Sequence, residues 1–481
     1  MQYKWTALTV TTVGILLASI DARILIIGLP TIAKQLHAGG EEVIWISQAY
    51  LLSGTVCLLL VGRIADLFGK VKLYNMGFVI FTVGSALAAI SQNPYQLIGF
   101  RIFQGVGYGI LMAIGTAIIT DASPKNELGT LLGINNVAWR VGSVSGLTLS
   151  GLILSIVDWR GLFYVNIPIG IFGTLWAYKS LREISVRDLS EKMDWIGFSL
   201  FAVGIFFVLL AITFLSYGVS GSLEGYAFLT FGIVVLILYV VAESKISYPL
   251  LDLGLFKIRL FAMGNLALVI NSLVFNGAAL LIAFYLQLGR GYSPLHAGLS
   301  VLPLDAFFTL SSVVCGRLSD KYGSRVLAST GLSIITVALL YMFTFGATTP
   351  YLEIVVVLSI IGTGNGMFSS PNTRAIMGSV PANRRGIANG FRSTMYNIGL
   401  TSSYGLMVLF ITLGIPYGLF TLLLQGSASG PLMLSARAEF LSGFQIAALI
   451  LAVLEAIAIA PSLMRGKTLV MREPDLSPNE K

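Results

Sequence analysis

Fourteen runs of mainly apolar residues, each near the ~20 that a helix needs to cross a bilayer, leave this chain few possible folds. They fall at 6–28, 43–62, 72–90, 95–119, 129–155, 161–178, 195–216, 226–243, 260–287, 297–316, 326–346, 351–370, 386–411 and 440–461. A soluble chain of 481 residues would divide into about three domains. Here 56% hydrophobic residues, 11% charged residues and a mean hydropathy of +0.86 indicate a membrane instead. In lipid each backbone polar group must be satisfied within its own segment. The expected fold class is therefore all-α integral membrane, with 14 transmembrane helices.

An even number of spans puts both termini on one side, and Lys and Arg choose the side. With the N-terminus inside, 22 of the 30 basic residues fall in inside segments, 4 in outside segments and 4 within spans. Both termini are expected to be cytoplasmic, and this bias explains the net charge of +8 without nucleic acid. The first run is too long for a signal peptide and ends in no small-residue cleavage site, so it is read as a retained helix. Cys57 and Cys315 lie far apart in apolar runs, and His37 and His296 are the only histidines, so neither a disulfide nor a metal site is expected.

Two charged turns reveal an internal repeat. Gly62-Arg-Ile-Ala-Asp-Leu-Phe-Gly-Lys-Val-Lys72 follows the second run, and Gly316-Arg-Leu-Ser-Asp-Lys-Tyr-Gly-Ser-Arg325 follows the tenth. Gly62 and Gly316, Asp66 and Asp320, and Gly69 and Gly323 keep their offsets, with Lys70 trailing the first copy. Glycines close a tight turn between antiparallel helices, and the aspartate can cap the next helix or pair with nearby bases. Such repeats are typical of transporters. A plain twelve-span repeat would put the second loop after span eight, so spans seven and eight are read as an insertion. The expected organisation is a six-helix bundle over 1–180, linkers and two inserted helices over 181–259, a second six-helix bundle over 260–465 and a cytoplasmic tail over 466–481. The stretch 412–439 is long and apolar for a loop, and it either lies on the membrane surface or dips into it.

Ionisable residues within spans are costly and mark functional sites. Asp21, about 10 Å down span one, matches the depth of Arg101, about 9 Å down span four. They are read as a carboxylate–arginine pair linking protonation to substrate, with a purely structural ion pair as the other reading. Asp305, about 12 Å into span ten, is read as facing a cavity or a water pocket. Arg140 has no evident partner and is assigned to substrate or a span-four carbonyl. Arg392 and Glu455, both about 8–9 Å from the inner surface, are expected to form a structural bridge. Arg23 lies about 200° around the helix from Asp21 and is expected to snorkel outward.

Asn265, Ser272 and Asn276 share one face of span nine, and Asn365 and Ser369 one face of span twelve. Such stripes line a substrate path or bond a neighbouring helix, and Asn265, Ser272, Asn276 and Asn365, with Asp305, Arg140 and Trp139, are assigned to the substrate cavity. Trp139, Phe275 and Tyr285 are candidates to stack on a flat or cationic ligand. Asp121, about 30 Å down span four from Arg101, should reach the inner region of Asp66, where these contacts would latch the halves outward-facing.

At this point the chain resembles the major facilitator superfamily, and within it the fourteen-span drug/proton antiporter branch of multidrug efflux transporters. Trp45-Ile-Ser-Gln-Ala-Tyr-Leu-Leu52 leading into Gly62–Lys72 resembles the family's second span and loop. Arg101-Ile-Phe-Gln-Gly-Val-Gly107 is similar to the fourth-span motif, and Trp159-Arg-Gly-Leu-Phe-Tyr-Val-Asn-Ile-Pro-Ile-Gly170 to the opening of span six. Tyr285-Leu-Gln-Leu-Gly-Arg-Gly-Tyr-Ser-Pro-Leu-His-Ala-Gly298 is similar to the span nine to ten turn. Three positions depart from the pattern. Leu67 replaces a basic residue, Leu147 replaces the fifth-span proline, and Arg392 stands one turn before the usual arginine, whose place Tyr396 takes. The resemblance implies two six-helix bundles plus two added helices, with spans one and four lining a central cavity and span nine acting as a gate.

No nucleophile–His–Asp set, metal cluster or nucleotide loop is present, and Gly362-Thr-Gly-Asn-Gly366 lies inside a span, where helix packing explains it. The expected protein is no enzyme and needs no cofactor. It is a monomeric, multi-pass transporter of the cell membrane whose partners are a small-molecule substrate, protons and lipid. Its expected activity is proton-coupled export of hydrophobic, often cationic, drug-like compounds by alternating access. Symport or uniport of an organic acid or other metabolite is the first alternative, and a non-transporting membrane receptor is the second.

Overall fold

The structure, a computed structural model, describes residues 3–124, 127–184, 194–215, 221–246, 253–381 and 385–466. Its helices are α1 (Tyr3–Leu36), α2 (Gly40–Phe68), α3 (Lys70–Ala89), α4 (Pro94–Ala122), α5 (Leu128–Ile156), α6 (Gly161–Tyr164), α7 (Asn166–Ser180) and α8 (Trp195–Leu215). They continue as α9 (Ser222–Glu243), α10 (Arg259–Phe284), α11 (Pro294–Tyr322), α12 (Ser324–Met342), α13 (Tyr351–Gly378), α14 (Arg385–Thr412), α15 (Tyr417–Leu424) and α16 (Gly430–Met464). No strand occurs among the described residues. Twelve spans are long and apolar enough to cross a membrane, or thirteen when α14 and α15, bent by 114°, are joined. These counts are of the described residues, and α2, with 29 residues, is not among the twelve.

The two charged turns are the same device in both halves. Gly69 (φ 99°) separates α2 from α3, and Gly323 (φ 78°) separates α11 from α12. Each glycine N–H closes the preceding helix, onto Ala65 O at 2.9 Å and Ser319 O at 3.1 Å. A Cβ would strain at these φ values, which is why glycine stands at both. Gly62 lies within the last turns of α2, and the side chains of Asp66 and Asp320 lie outside what is described.

Small residues let the repeated helices approach closely. A Cβ on Gly109 of α4 would lie 2.7 Å from Gly54 O of α2, and Gly105 has the Tyr50 carbonyl in its way. The second half repeats this between α11 and α13, where a Cβ on Gly366 would lie 2.6 Å from Phe308 O. Gly362-Thr-Gly-Asn-Gly366 is therefore a packing stripe. Helix α1 is buried on every face, as its all-round apolar sequence allows. The inserted α8 and α9 pack on each other, α8 rests on α2 and α14, and α9 keeps Leu223, Phe231, Ile237 and Val241 exposed.

The halves meet from mid-height to the end opposite the charged turns. Gln287 donates to Ile27 O (3.2 Å), Gln48 to Thr401 O (3.3 Å) and the Tyr108 hydroxyl to Asn397 Oδ1 (3.1 Å). Gly151 of α5 sits against the Pro294 carbonyl, 2.7 Å from where its Cβ would be, and Gly298 against the Leu147 carbonyl, at 3.0 Å. Leu147, where the family resemblance called for proline, thus lies within an unbroken stretch of α5 pressed onto α11.

The stretch 412–439 resolves into α15, which dips back and covers that same end. The Tyr417 hydroxyl accepts the Glu41 N–H at 2.7 Å, Thr421 Oγ1 accepts the Gly40 N–H at 3.4 Å, and Gln425 donates to His37 O at 3.0 Å. Tyr417 and Thr421 satisfy N–H groups that the start of α2 leaves without helical partners, while Gln425 ties α15 to the carbonyl of His37 just before it. Phe420 anchors the cap, stacked on Phe440 at 6.5 Å.

Candidate functional site

Two polar clusters lie inside the bundle, on opposite faces of α1. The first belongs to the N-terminal half. Arg101 of α4 contacts Asp21 of α1 at 2.6 Å, with side-chain exposures of 1% and 0%. Gln104 donates to Asp21 Oδ1 at 3.1 Å and to Ser85 at 2.7 Å, while its own Oε1 accepts from Arg101 at 2.6 Å. Asn166 donates to Asp21 Oδ1 at 2.6 Å. The short break between α6 and α7 places that amide, two residues ahead of Pro168, whose missing N–H helps to break the helix. Arg101 also donates to Ile46 O at 3.2 Å and lies 3.9 Å from the Tyr50 ring centre. Every neighbour of the carboxylate is a donor, which is the environment an ionised group requires when buried.

The second cluster lies at the seam between the halves. Arg23 is 4% exposed, its guanidinium 5.7 Å from the Phe275 ring, with Nη1 buried and unbonded. It does not snorkel to lipid, because the face of α1 opposite Asp21 is covered by the C-terminal half. Arg140 of α5 stacks 3.9 Å from the Phe308 ring centre and reaches Ser369 Oγ at 3.5 Å, not a span-four carbonyl, and its Nη1 is buried and unbonded. Asp305 of α11 is 2% exposed, with Oδ2 unbonded. Both arginines act on it electrostatically, yet neither comes within the 4.0 Å of an ion pair. Trp139 meets Tyr396 edge-on at 5.9 Å.

In the span-nine stripe one residue bonds across to α14 and two bond within α10. Ser272 donates to Tyr396 O at 2.7 Å, Asn276 to Ser272 O at 2.7 Å and Asn265 to Phe261 O at 2.9 Å. The Oδ1 atoms of Asn265, Asn276 and Asn365 are buried without partners. Past Phe284 the helix widens into a π-helical turn over Tyr285–Gly289, with Arg290 N bonded five residues back to Tyr285 O at 2.9 Å. Tyr285 itself packs on Phe444 at 4.6 Å and donates to Gly346 O, so it is structural.

The expected Arg392–Glu455 bridge is not formed. Arg392 donates to Asn389 of its own helix at 3.3 Å, while Glu455, fully buried, accepts from Asn271 at 2.9 Å. Glu455 faces α10 and not α14.

At the charged-turn end, Lys70 pairs with Asp121 at 2.7 Å, so Asp121 does reach the first loop. Glu183, which the sequence reading missed, accepts the Lys70 and Val71 N–H groups at 3.1 and 3.0 Å and so caps α3. Its signal was an acid in the charged stretch after span six. Glu183→Ala is expected to speed amide hydrogen exchange at the start of α3, by removing a cap worth about 0.5–2 kcal/mol. Unchanged exchange over Lys70–Leu73 would show that the cap is not holding the helix.

The sequence profile of the Major Facilitator Superfamily matches residues 11–404. Riboflavin transporter RibZ of Clostridioides difficile (strain 630) is 34% identical over 398 residues, 83% of this chain and 86% of that one. Multidrug resistance protein Stp of Mycobacterium tuberculosis (strain CDC 1551 / Oshkosh) is 29% identical over 83% of this chain and 74% of its own length. Multidrug transporter protein MdtP of Bacillus subtilis (strain 168) is 27% identical over 83% and 75%. Among solved structures, a bacterial homolog of the human lysosomal transporter Spinster shares the fold, with a TM-score of 0.66 at 17% identity over 96% of this chain and 97% of that one.

Proposed function

The chain belongs to the Major Facilitator Superfamily and is a multi-pass membrane transporter, not an enzyme, and from that premise we propose that it exports hydrophobic, drug-like compounds in exchange for protons. The relatives named as multidrug proteins support export, and the riboflavin transporter supports a planar substrate. The bias of Lys and Arg supports fourteen spans with cytoplasmic termini, which makes the capped end external and this conformation inward-facing.

The observation that carries the reading is Asp21, an acid in the middle of a bundle held by three donors. Protonation would make one carboxylate oxygen a donor, which the bonds now given by Arg101, Gln104 and Asn166 do not accommodate, and the acceptor at hand is Asn166 Oδ1, buried without a partner. Turning that amide gives up its present N–H bond to Asp21, so the contacts tying α1 to α7 rearrange. Because Arg23 rides on the opposite face of the same helix, a shift of α1 reaches the seam. Proton and substrate are thereby linked, each altering the other's affinity.

Reconstitution in proteoliposomes tests this, with riboflavin and ethidium as probes. Flux of the transported probe should rise with an imposed pH gradient and collapse with a protonophore. Flux indifferent to the gradient would overturn proton coupling and leave uniport. The surplus of arginines at the seam favours one second reading, symport of an organic acid, which the direction of the gradient's effect separates from export.

A further inference from the structure

We propose that the seam between the two halves binds planar organic anions, with Arg23 and Arg140 holding the negative group and Phe275 and Phe308 the ring. The proposal rests on the transporter reading and adds the charge of its substrate, opposite to the cation expected from sequence.

The charges at the seam do not balance. Arg23 and Arg140 act on Asp305 electrostatically, and Arg392, which acts on Arg140, adds a third guanidinium. Among the described residues at this seam, three cations stand against one carboxylate. Surplus buried charge in a bilayer is costly unless something neutralises it. Arg23 Nη1 and Arg140 Nη1 each point into protein without a hydrogen-bond partner, two free donors from helices of one half. The guanidinium fork suits carboxylate, sulfonate or phosphate oxygens.

The same two arginines sit on rings. Arg23 lies over Phe275 and Arg140 over Phe308, and the two rings are 5.4 Å apart. An aromatic ligand entering here meets rings that each carry a guanidinium over one face, and Trp139 with Tyr396 lies on the Arg140 side. Asp305, with Oδ2 unbonded, then opposes the anion across the seam. Its repulsion keeps binding weak enough for release. A lipophilic cation would instead have one carboxylate to recruit it and three guanidinium groups to repel it.

The test is a binding titration on purified, detergent-solubilised full-length protein, read by tryptophan quenching. The probes are anthraquinone-2-sulfonate, a planar anion, and ethidium, a planar cation. The sulfonate should saturate a single site and ethidium should not. Arg140→Gln should weaken the sulfonate by about tenfold, the loss of one charge-assisted hydrogen bond. Asp305→Asn should tighten it, because a like charge is removed without change of volume. Arg140→Lys, which keeps the charge but not the fork, should fall between parent and Gln. If Arg140→Gln melts, the Asp305→Asn titration alone decides. Saturable ethidium binding that Asp305→Asn abolishes, or a weaker sulfonate in Asp305→Asn, overturns the proposal. Binding in detergent needs no gradient, so the failures separate. Sulfonate binding without flux defeats the transport reading alone, and pH-driven ethidium flux without sulfonate binding defeats this proposal alone.

Discussion

Asp21→Asn is expected to abolish pH-driven transport while the protein stays folded and continues to exchange substrate across the membrane. The asparagine has the shape of the carboxylate but offers a donor where Arg101, Gln104 and Asn166 already donate. It therefore imitates the protonated state permanently. Losing the ion pair leaves Arg101 buried, held by the Ile46 carbonyl, Gln104 and the Tyr50 ring. Those contacts keep it from being a wholly uncompensated charge, so the bundle should survive. The loosened bonds free α1 to move independently of pH. Substrate-induced proton release from purified protein in weakly buffered detergent gives the direct reading. The parent should release protons on binding and Asp21→Asn should release none. Equal release from both would move the coupling site elsewhere, with Asp305 next to examine. Counterflow, which requires no net proton movement, should persist in the variant and separates lost coupling from lost binding.

The pairing of Asp21 with Arg101 was readable because a helix rises a fixed 1.5 Å per residue, so depth follows from counting. Azimuth does not follow from counting. Arg392 and Glu455 count to the same depth and still do not meet, because only tertiary packing decides which helix each faces. Gln104 and Asn166 escaped for a related reason. Gln104 lies inside a motif whose arginine drew the attention, and Asn166 reaches Asp21 only through the break between α6 and α7. The burial of Arg23 did leave a trace in the sequence. The first span is apolar on all sides, the mark of an interior helix with no lipid face to snorkel toward. The matched glycines at 69 and 323 were the most dependable signal, because a positive φ is a local demand that only glycine meets freely. The stretch 412–439 stayed ambiguous because α15, at eight residues, is too short to announce itself by periodicity.

A disulfide between α15 and the start of α2 is expected to stop transport completely and reversibly. Alternating access requires the end closed in this structure to open, and α15 is what spans it. A Cβ at Gly39 would lie 3.7 Å from Thr421 Cγ2, and the Gly39 backbone (φ −74°, ψ 175°) accepts any side chain. Thr421 Cβ lies one bond beyond that methyl carbon, so the two positions stand near the reach of a bridge whose Cβ atoms usually lie about 3.5–4.5 Å apart. The nearest group to the new side chain, the Glu42 carboxylate, is the end of a flexible chain and can move aside. Gly39→Cys with Thr421→Cys should therefore lose flux on oxidation and regain it with reductant, while either single variant is unaffected by both treatments. The native Cys57 and Cys315 lie within helices away from this end and should not interfere. Tyr417→Phe, which removes the acceptor of the Glu41 N–H, should do the opposite and loosen the cap. It should raise the outward-open population, read as faster labelling of a cysteine placed at Gln287, whose bond to Ile27 O lies at the same end. Full flux through the oxidised double-cysteine protein, with the bridge verified by mass, would show that α15 moves as a body with α2. The gate at this end would then have to lie between α5 and α11, where Gly151 and Gly298 hold the halves in contact.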